Sequence, residues 1–403
     1  MRINIGILMD ERAFPRLIIF IIIVAILIFS SFIYWINTAE KRAISQIISR
    51  AKKYKIFKIR GVYATPASWP YKEDIIRLLD RLNDSGFNLL IWFVNPRGKK
   101  AFYMTKYYPV DKKYFLSGDP FRFLISEAHK RGIKVWAWFD FMGYRQLLVD
   151  HPDWGVKYWN GTSILEKPYR GYYPLNPANR EVVSFWKNVL KELVTNYNID
   201  GINFEDDYGY SYGGEYFSYD NINRELFTKF LKKHDIEELN WPNDALPGGK
   251  LYNLWIAYKC EIINNLSKEL YYTVKEIRPS IEISLAVNVN LNWTKKTYGV
   301  DWLTLAKEGH FDYLTFMLYT ADDKWLVEKL RYIKSMLNDT LSKPIIIIGW
   351  ELRNKRASAW IRQALLIREE GYNDIIIFWA GGLENIKDGW KSFKMFFGSM
   401  KKI

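Results

Sequence analysis

The chain has 403 residues, 49% hydrophobic and 25% charged, a globular balance that excludes a largely disordered protein. Its single cysteine, Cys260, excludes an internal disulfide framework and a Cys-rich zinc site, and four histidines argue against a His-rich metal centre. The formal charge of +14 invites a nucleic-acid reading, but residues 1–60 hold 11 Lys and Arg against 3 Asp and Glu, so the remaining 343 residues carry only +6 and show no basic stripe.

Residues 17–36 read LIIFIIIVAILIFSSFIYWI, 20 residues without a charge. At about 1.5 Å of rise per residue they span about 30 Å, the thickness of a bilayer core. Tyr34 and Trp35 stand at one end, where aromatic side chains favour the membrane interface. A cleavable signal peptide has a shorter apolar region, about 7–15 residues, and ends in small residues. The run therefore predicts a transmembrane anchor at 17–36, after a short tail at 1–16. Basic residues nearly balance on its two sides, so charge does not set the orientation. Residues 37–55 read as a basic stalk, a solvated linker to the domain at 56–400.

That domain alternates β-rich runs with helical stretches. The first strand is expected at 56–65, followed by a helix around 71–85 with apolar spacing Ile75, Ile76, Leu78, Leu79, Leu82 and a stop at Gly86. Further strands are expected at 87–95, 133–141, 199–205, 281–289, 311–319, 344–351 and 374–382. Between them lie helices near 120–131 and 179–197, two helices within 216–278, and a short one at 301–308. A last helix closes the chain. Several strands are near-continuous apolar runs, as parallel strands buried on both faces require. Eight β/α units predict an α/β fold of the (β/α)8 TIM-barrel type. An open doubly wound sheet should carry a Gly-rich first turn, and YATPASWP after strand one has none. Long insertions follow strands three and four, at 142–178 and 207–250. Both belong at the C-terminal face of the barrel, where such folds keep their active sites, and the second is rich in Tyr.

Glu205, Asp206 and Asp207 end strand four as three consecutive carboxylates. Like charges this close raise at least one pKa, and a carboxyl still protonated near neutral pH is a general acid. Strand alternation means the three cannot all face the barrel axis, so their roles must differ. Asp200, at the other end of the strand, reads as structural. Glu351 ends strand seven and is the candidate second carboxylate of a pair flanking a glycosidic bond. Candidate substrate-binding groups at other strand ends are Arg97, Asp140, Asn288 and Tyr319, with Trp350 and Trp379 able to stack on sugar rings. Asn95 and Asn290 occupy similar positions. Trp92, Trp136 and Trp138 lie within strands, where large side chains fill the barrel. A metal at the Glu205–Asp207 run is a weaker alternative, since no second acidic cluster matches it.

The ordered segments RGVY (60–63), NPRG (95–98), DPFRFLISEAHKRGIKVWAW (119–138), HPDW (151–154), YYPLNPANREVV (172–183), IDGINFEDDY (199–208) and FDYLTFMLY (311–319) resemble the glycosyl-hydrolase-like family ten, over roughly residues 58–390. The family pattern at strand four is DGIHFDDY. Here Asn203 replaces His, and one extra acidic residue precedes the Tyr. The FEDD run is also similar to the FHDD of the hydrolase domain attached to some poly-N-acetylglucosamine deacetylases. The resemblance implies a glycosidase acting on a glycan, one that includes N-acetylated sugars, with Asp206 and Asp207 as the paired aspartates and Asp200 as the upstream one. Taken together, these readings make Asp206 the first choice for the acid, with Asp207 orienting substrate or holding a charge and Glu351 as base or nucleophile unless the substrate's acetamido group attacks. No cofactor and no nucleic-acid partner are expected. The expected partners are the glycan and, through residues 17–36, the lipid bilayer, with the catalytic domain outside the cytoplasm and the oligomeric state left open. The rival from another class is a non-catalytic glycan-binding barrel at the cell surface.

Overall fold

The computed structural model describes residues 13–96, 99–115 and 118–402. In chain order the elements are α1 (Ala13–Ala51), β1 (Ile59–Ala64), α2 (Lys72–Asp84), β2 (Leu89–Phe93), α3 (Pro120–Lys130), β3 (Lys134–Phe139), α4 (Arg145–Asp150), α5 (Arg180–Asn196), β4 (Gly201–Phe204), α6 (Asn221–Lys232), α7 (Tyr252–Ile277), β5 (Glu282–Val287), α8 (Leu291–Tyr298), α9 (Trp302–Glu308), β6 (Tyr313–Met317), α10 (Asp323–Met336), β7 (Lys343–Ile348), α11 (Ala357–Glu369), β8 (Asp374–Ile377), α12 (Ala380–Glu384) and α13 (Gly389–Ser399). The eight strands are all parallel and close in chain order, β8 pairing with β1. This is the (β/α)8 barrel the alternation predicts. Each strand is shorter than its apolar run, because the residues past its end leave the ladder to form the mouth. The short helices α4, α8 and α12 lie in such strand-to-helix connections and gave no periodic signal.

Alternation sorts each strand into two faces. Inward residues form one core inside the ring, among them Tyr63, Ile91, Trp136, Trp138, Ile345 and Ile376. Outward residues such as Val62, Leu90, Val135 and Ile202 join a larger core beneath the helices. The insertion between β4 and β5 carries a third core, in which Trp255 of α7 packs on Tyr219, Phe227 and Tyr258. The two insertions brace each other, with Tyr158 and Tyr169 edge-on to the ring of Phe217.

The stretch expected to be a solvated linker is different. Residues 37–51 continue α1 without a break and dock on α11 and α13, burying Ile44, Ile47 and Ala51. The reason is amphipathicity: these apolar residues recur at helical spacing, one face finds the barrel wall, and the basic residues take the other. Glu40 accepts from both the backbone N–H and the hydroxyl of Ser358, at 2.8 and 2.7 Å, capping a helix whose own N-cap side chain makes no cap. Arg50 meets Glu369 at 2.8 Å at the other end of α11.

Candidate active site

Inside the ring a polar layer sits under the mouth. Tyr63 donates to Asn203 Oδ1 at 2.7 Å, and Asn203 Nδ2 donates to Ser284 Oγ at 2.8 Å and to Thr315 Oγ1 at 3.4 Å. Asn203 is wholly buried, and these bonds satisfy and fix its amide. The side chain at 203 therefore serves the barrel interior, joining strands β1, β4, β5 and β6.

Glu205 stands two residues beyond the inward-facing Asn203 and shares its face. Its backbone N–H still donates to Phe139 of β3 at 2.9 Å, so the strand geometry persists to this residue. Burial and the charge of adjacent Asp206 push its carboxyl well above the ordinary glutamate range. Asp206 lies at the surface of the mouth and accepts a hydrogen bond on Oδ1 from the Tyr212 hydroxyl. Asp207 turns the other way. It is fully buried, and burial followed by the charge of Asp140 raises its carboxyl well above the ordinary aspartate range. Three consecutive carboxylates thus occupy three environments: one inward at the mouth, one lining the cleft, one beneath it.

Tyrosines surround the pair. Tyr63, Tyr212, Tyr298 and Tyr319 all have phenols raised above their ordinary range, by burial first. Carboxylates of the cluster add to each shift, which favours the neutral phenols, and Tyr63 and Tyr212 donate hydrogen bonds to Asn203 and Asp206. The loop carrying Tyr212 is tied down from below. Buried Lys259 donates to the carbonyls of Gly214 and Lys296, at 3.0 and 2.9 Å, and burial brings its ammonium down to about 8.

Asp206 opens on a cleft of about 700 Å³ whose lining includes Asn288, Asn290, Met317, Tyr319, Trp325 and Tyr332. From Tyr319 a wall of rings continues round the mouth. Trp350 and Trp379 lie 5.2 Å apart, Trp350 is 6.0 Å from Phe378, and Phe378 is 5.3 Å from Tyr63 and 5.5 Å from Tyr319. Gly349 sets Trp350 at the rim: at φ +136° it has a backbone few side chains accept, and a Cβ there would meet the Phe378 carbonyl oxygen at 2.0 Å. The arrangement joins a carboxyl raised by burial, a neighbouring carboxylate, tyrosine hydroxyls and apolar ring faces at one mouth.

The structure brings Glu205, Asp206, Asp207 and Asp140 together, and places Asn288 and Tyr319 in the cleft with Asp206. Asp140 is buried beside Asp207 and accepts from the Met142 N–H at 2.8 Å, while Asn95 and Asp140 tie β2 to β3. Asp200 sits at the far end of β4 bound to His129 and the Val135 N–H, each at 2.8 Å, the structural place expected for it. Glu351 stands apart, three strands round the ring from β4, with a half-exposed side chain whose ion partner is Arg353 at 4.0 Å. Arg97 lies outside the described residues. Among the described residues no three His, Cys, Asp or Glu side chains converge as metal ligands. Tyr63, Tyr212, Tyr298 and Lys259 were not singled out from sequence. Tyr63 had a usable signal, two residues beyond Gly61 on the inward face of β1. Tyr212 lies in a loop, Tyr298 ends the short helix α8 and Lys259 sits on the distant helix α7, and none of the three has such a signal.

A family model described as "Glycosyl hydrolase-like 10" matches residues 58–354, from β1 to the turn after β7. The chain belongs to the glycosyl hydrolase-like 10 family. Curated relatives include the glycosyl hydrolase YngK of Bacillus subtilis, 27% identical over 243 residues, and the glycosyl hydrolase DigH of Escherichia coli K12, 24% identical over 236. Each match covers 53% of this chain, and 39% and 47% of those proteins, so it spans less than half of their length. Among solved structures, the PgaB (BpsB) glycoside hydrolase domain of Bordetella bronchiseptica superposes with a TM-score of 0.65 at 14% identity, covering 85% of this chain and 99% of that domain. The catalytic domain of a Paenibacillus polymyxa β-amylase gives 0.61 at 12% identity, covering 84% and 97%. These likenesses are of fold. As a glycosyl hydrolase-like 10 barrel, this protein keeps its acidic run at the end of β4, at the face where (β/α)8 enzymes place their chemistry.

Proposed function

We propose that this protein is a membrane-anchored glycoside hydrolase that cleaves an extracytoplasmic glycan containing N-acetylated sugars. The observation that carries the reading is the pair at the end of β4: Glu205, whose carboxyl is raised by burial and by the charge of Asp206, next to Asp206, which lines an open cleft. Glu205 donates its proton to the glycosidic oxygen as the bond breaks, and Asp206, oriented by Tyr212, offsets the positive charge growing at the sugar. On an N-acetylated sugar the substrate's own acetamido oxygen supplies the nucleophile, so a second protein carboxylate is not required. If the substrate lacks that group, Glu351 is the candidate base. Asp207 and Asp140 hold charge beneath the pair, and Trp350 and Trp379 offer ring faces to the sugar. The family and the glycosidase neighbours support the hydrolase class, and the tyrosine-ringed acids support the roles.

Anchoring is supported by α1. Its apolar segment has a mean hydropathy of 2.8, and the large side chains from Ile18 to Trp35 stand exposed along the helix. Flotation of the full chain with vesicles checks the anchor. For activity, a chain beginning at residue 38 and its Glu205→Gln and Asp206→Asn variants are incubated with cell-wall and exopolysaccharide glycans, including N-acetylglucosamine oligomers. New oligosaccharides seen by mass spectrometry from the parent, and not from the variants, are the expected result. Oligosaccharide binding without products would turn the reading to a glycan-binding barrel.

A further inference from the structure

The direction in which α1 crosses the barrel wall has a consequence for the substrate. α11 follows β7, so it begins at the mouth of the barrel and ends at its base. Arg50 of α1 pairs with Glu369 at the base end of α11, Glu40 binds Ser358 at its mouth end, and Arg356 donates to the Ile36 carbonyl at 3.0 Å. Read from Arg50 back to Ile36, α1 therefore climbs from base to mouth. The apolar residues before Ile36 continue the same helix beyond the mouth, for about 27 Å at 1.5 Å per residue.

We propose that the mouth of the barrel faces the bilayer, so that the enzyme admits glycans carried on lipid at the membrane surface. This rests on the membrane-anchored reading above and adds the orientation and the substrate class. Two further observations point the same way. Where α1 leaves the barrel, a cleft of about 740 Å³ is lined by six cations, Lys41, Arg353, Lys355, Arg356, Lys387 and Lys391, against two carboxylates, Glu40 and Asp388. Glu40 is already engaged with Ser358. The cleft lies directly below the last apolar residues of α1, the level of lipid phosphates when 17–36 spans the core, and its charge matches an anionic headgroup. The second observation concerns tryptophan. Outside α1, the exposed tryptophans among the described residues are Trp159, Trp293 and Trp350, at 56, 42 and 41%. All three follow the C-terminal ends of strands, on the mouth side; of the tyrosines, Tyr71 and Tyr216 are exposed there and Tyr272 towards the base end of α7, so the bias to the mouth is carried by the tryptophans. Tryptophan and tyrosine favour the headgroup layer.

The geometry also says how substrate would arrive. With the helix at the β7–β8 side and the two insertions across the ring, the cleft beside β5 and β6 opens between them. A lipid-borne glycan standing up from the bilayer meets Glu205 and Asp206 there, whereas a soluble polymer must enter the gap between barrel and membrane.

The test uses the full chain with Cys260→Ser, carrying one new cysteine at a time: Trp159→Cys and Lys355→Cys at the mouth, Ile277→Cys and Leu341→Cys at the base. Each is labelled with a fluorophore and reconstituted in equimolar phosphatidylcholine and phosphatidylglycerol vesicles containing a lipid with a nitroxide on its headgroup. Loss of fluorescence at positions 159 and 355, with none at 277 and 341, is expected. Quenching at the base, equal quenching at both ends, or quenching at neither end in protein that floats with the vesicles would overturn the orientation. Protein that does not float overturns the membrane reading itself, so the two failures are told apart in the same samples.

Discussion

Glu205 and Asp206 are adjacent in sequence, yet the strand they end turns them to different surroundings, and that difference is the basis of their assigned roles. Glu205→Gln keeps the size of the side chain and removes the proton. Turnover should fall by about 10²–10⁴ on a glycan with a poor leaving group. The loss should be far smaller on an aryl glycoside whose phenolate leaves unaided, while the unfolding midpoint holds; an equal loss on both substrates would exclude the acid role. Asp206→Asn removes the charge that helps keep Glu205 protonated, so the alkaline limb of any residual activity should move to lower pH. Asp207 allows a test by stability. Its carboxyl holds a proton more tightly in the folded chain than in the unfolded one. Between the unfolded carboxylate range near pH 4 and the raised folded value, the native state binds the extra proton, so this contribution to stability is full at acid pH and is lost as pH rises, by up to about 1.4 kcal/mol per pH unit. Asp207→Asn should flatten that slope and raise the melting temperature near neutral pH, measured by calorimetry from about pH 4 to about pH 8. At this scale three carboxylates at a strand end are conspicuous in the sequence, but the sequence reading prefers Asp206 as the acid, whereas we assign that role to Glu205 because of its burial. Which one faces inward follows from the register of β4 against β3, and the phenols raised in part by the charge of Glu205, those of Tyr63, Tyr212, Tyr298 and Tyr319, come from separate segments.

At the scale of elements the reading of the strands was direct, because a parallel strand covered on both faces must be apolar along its length, and IIII in β7 or LLIW in β2 can be little else. Stretches whose order comes from tertiary contact were harder. Residues 37–51 read as a stalk because their charge dominates, yet every fourth or third residue of the run Glu40, Ile44, Ile47, Ala51 meets the wall of α11 and α13. This docking sets where the chain can be cut. A chain beginning at residue 38 retains the docked face, and one beginning at residue 54 loses it. Each buried isoleucine contributes about 1.5–3 kcal/mol, so the shorter chain should be less stable by about 4 kcal/mol in urea unfolding. Equal midpoints would mean that the docked half of α1 adds nothing. Within the longer chain, Glu40→Ala removes the cap on α11 and should cost about 1 kcal/mol, with no change in the slope of the transition.

For the molecule as a whole, charge and shape should act together at the membrane even after the apolar segment is removed. A chain beginning at residue 38 has no span to insert, so any attraction to a bilayer comes from its surface. If the mouth is the membrane-facing side, the cleft holding Lys41, Arg353, Lys355, Arg356, Lys387 and Lys391 meets the headgroups. Each basic residue at an anionic surface contributes about 1 kcal/mol, and Lys355 and Lys387 are exposed, so neither is needed for folding. Reversing both, Lys355→Glu with Lys387→Glu, should weaken sedimentation with phosphatidylglycerol vesicles by about thirtyfold or more. Binding of the parent chain should vanish on pure phosphatidylcholine, and at about 1 M salt, where the screening length falls to about 3 Å. The matched control reverses two exposed lysines at the base, Lys307→Glu with Lys343→Glu, which gives the same net charge. Net charge alone would make the two variants equally weak. Only a molecule that presents its mouth to the membrane should lose binding with the first pair and keep it with the second, and that asymmetry is what links the path of one helix to the side from which the barrel takes its substrate.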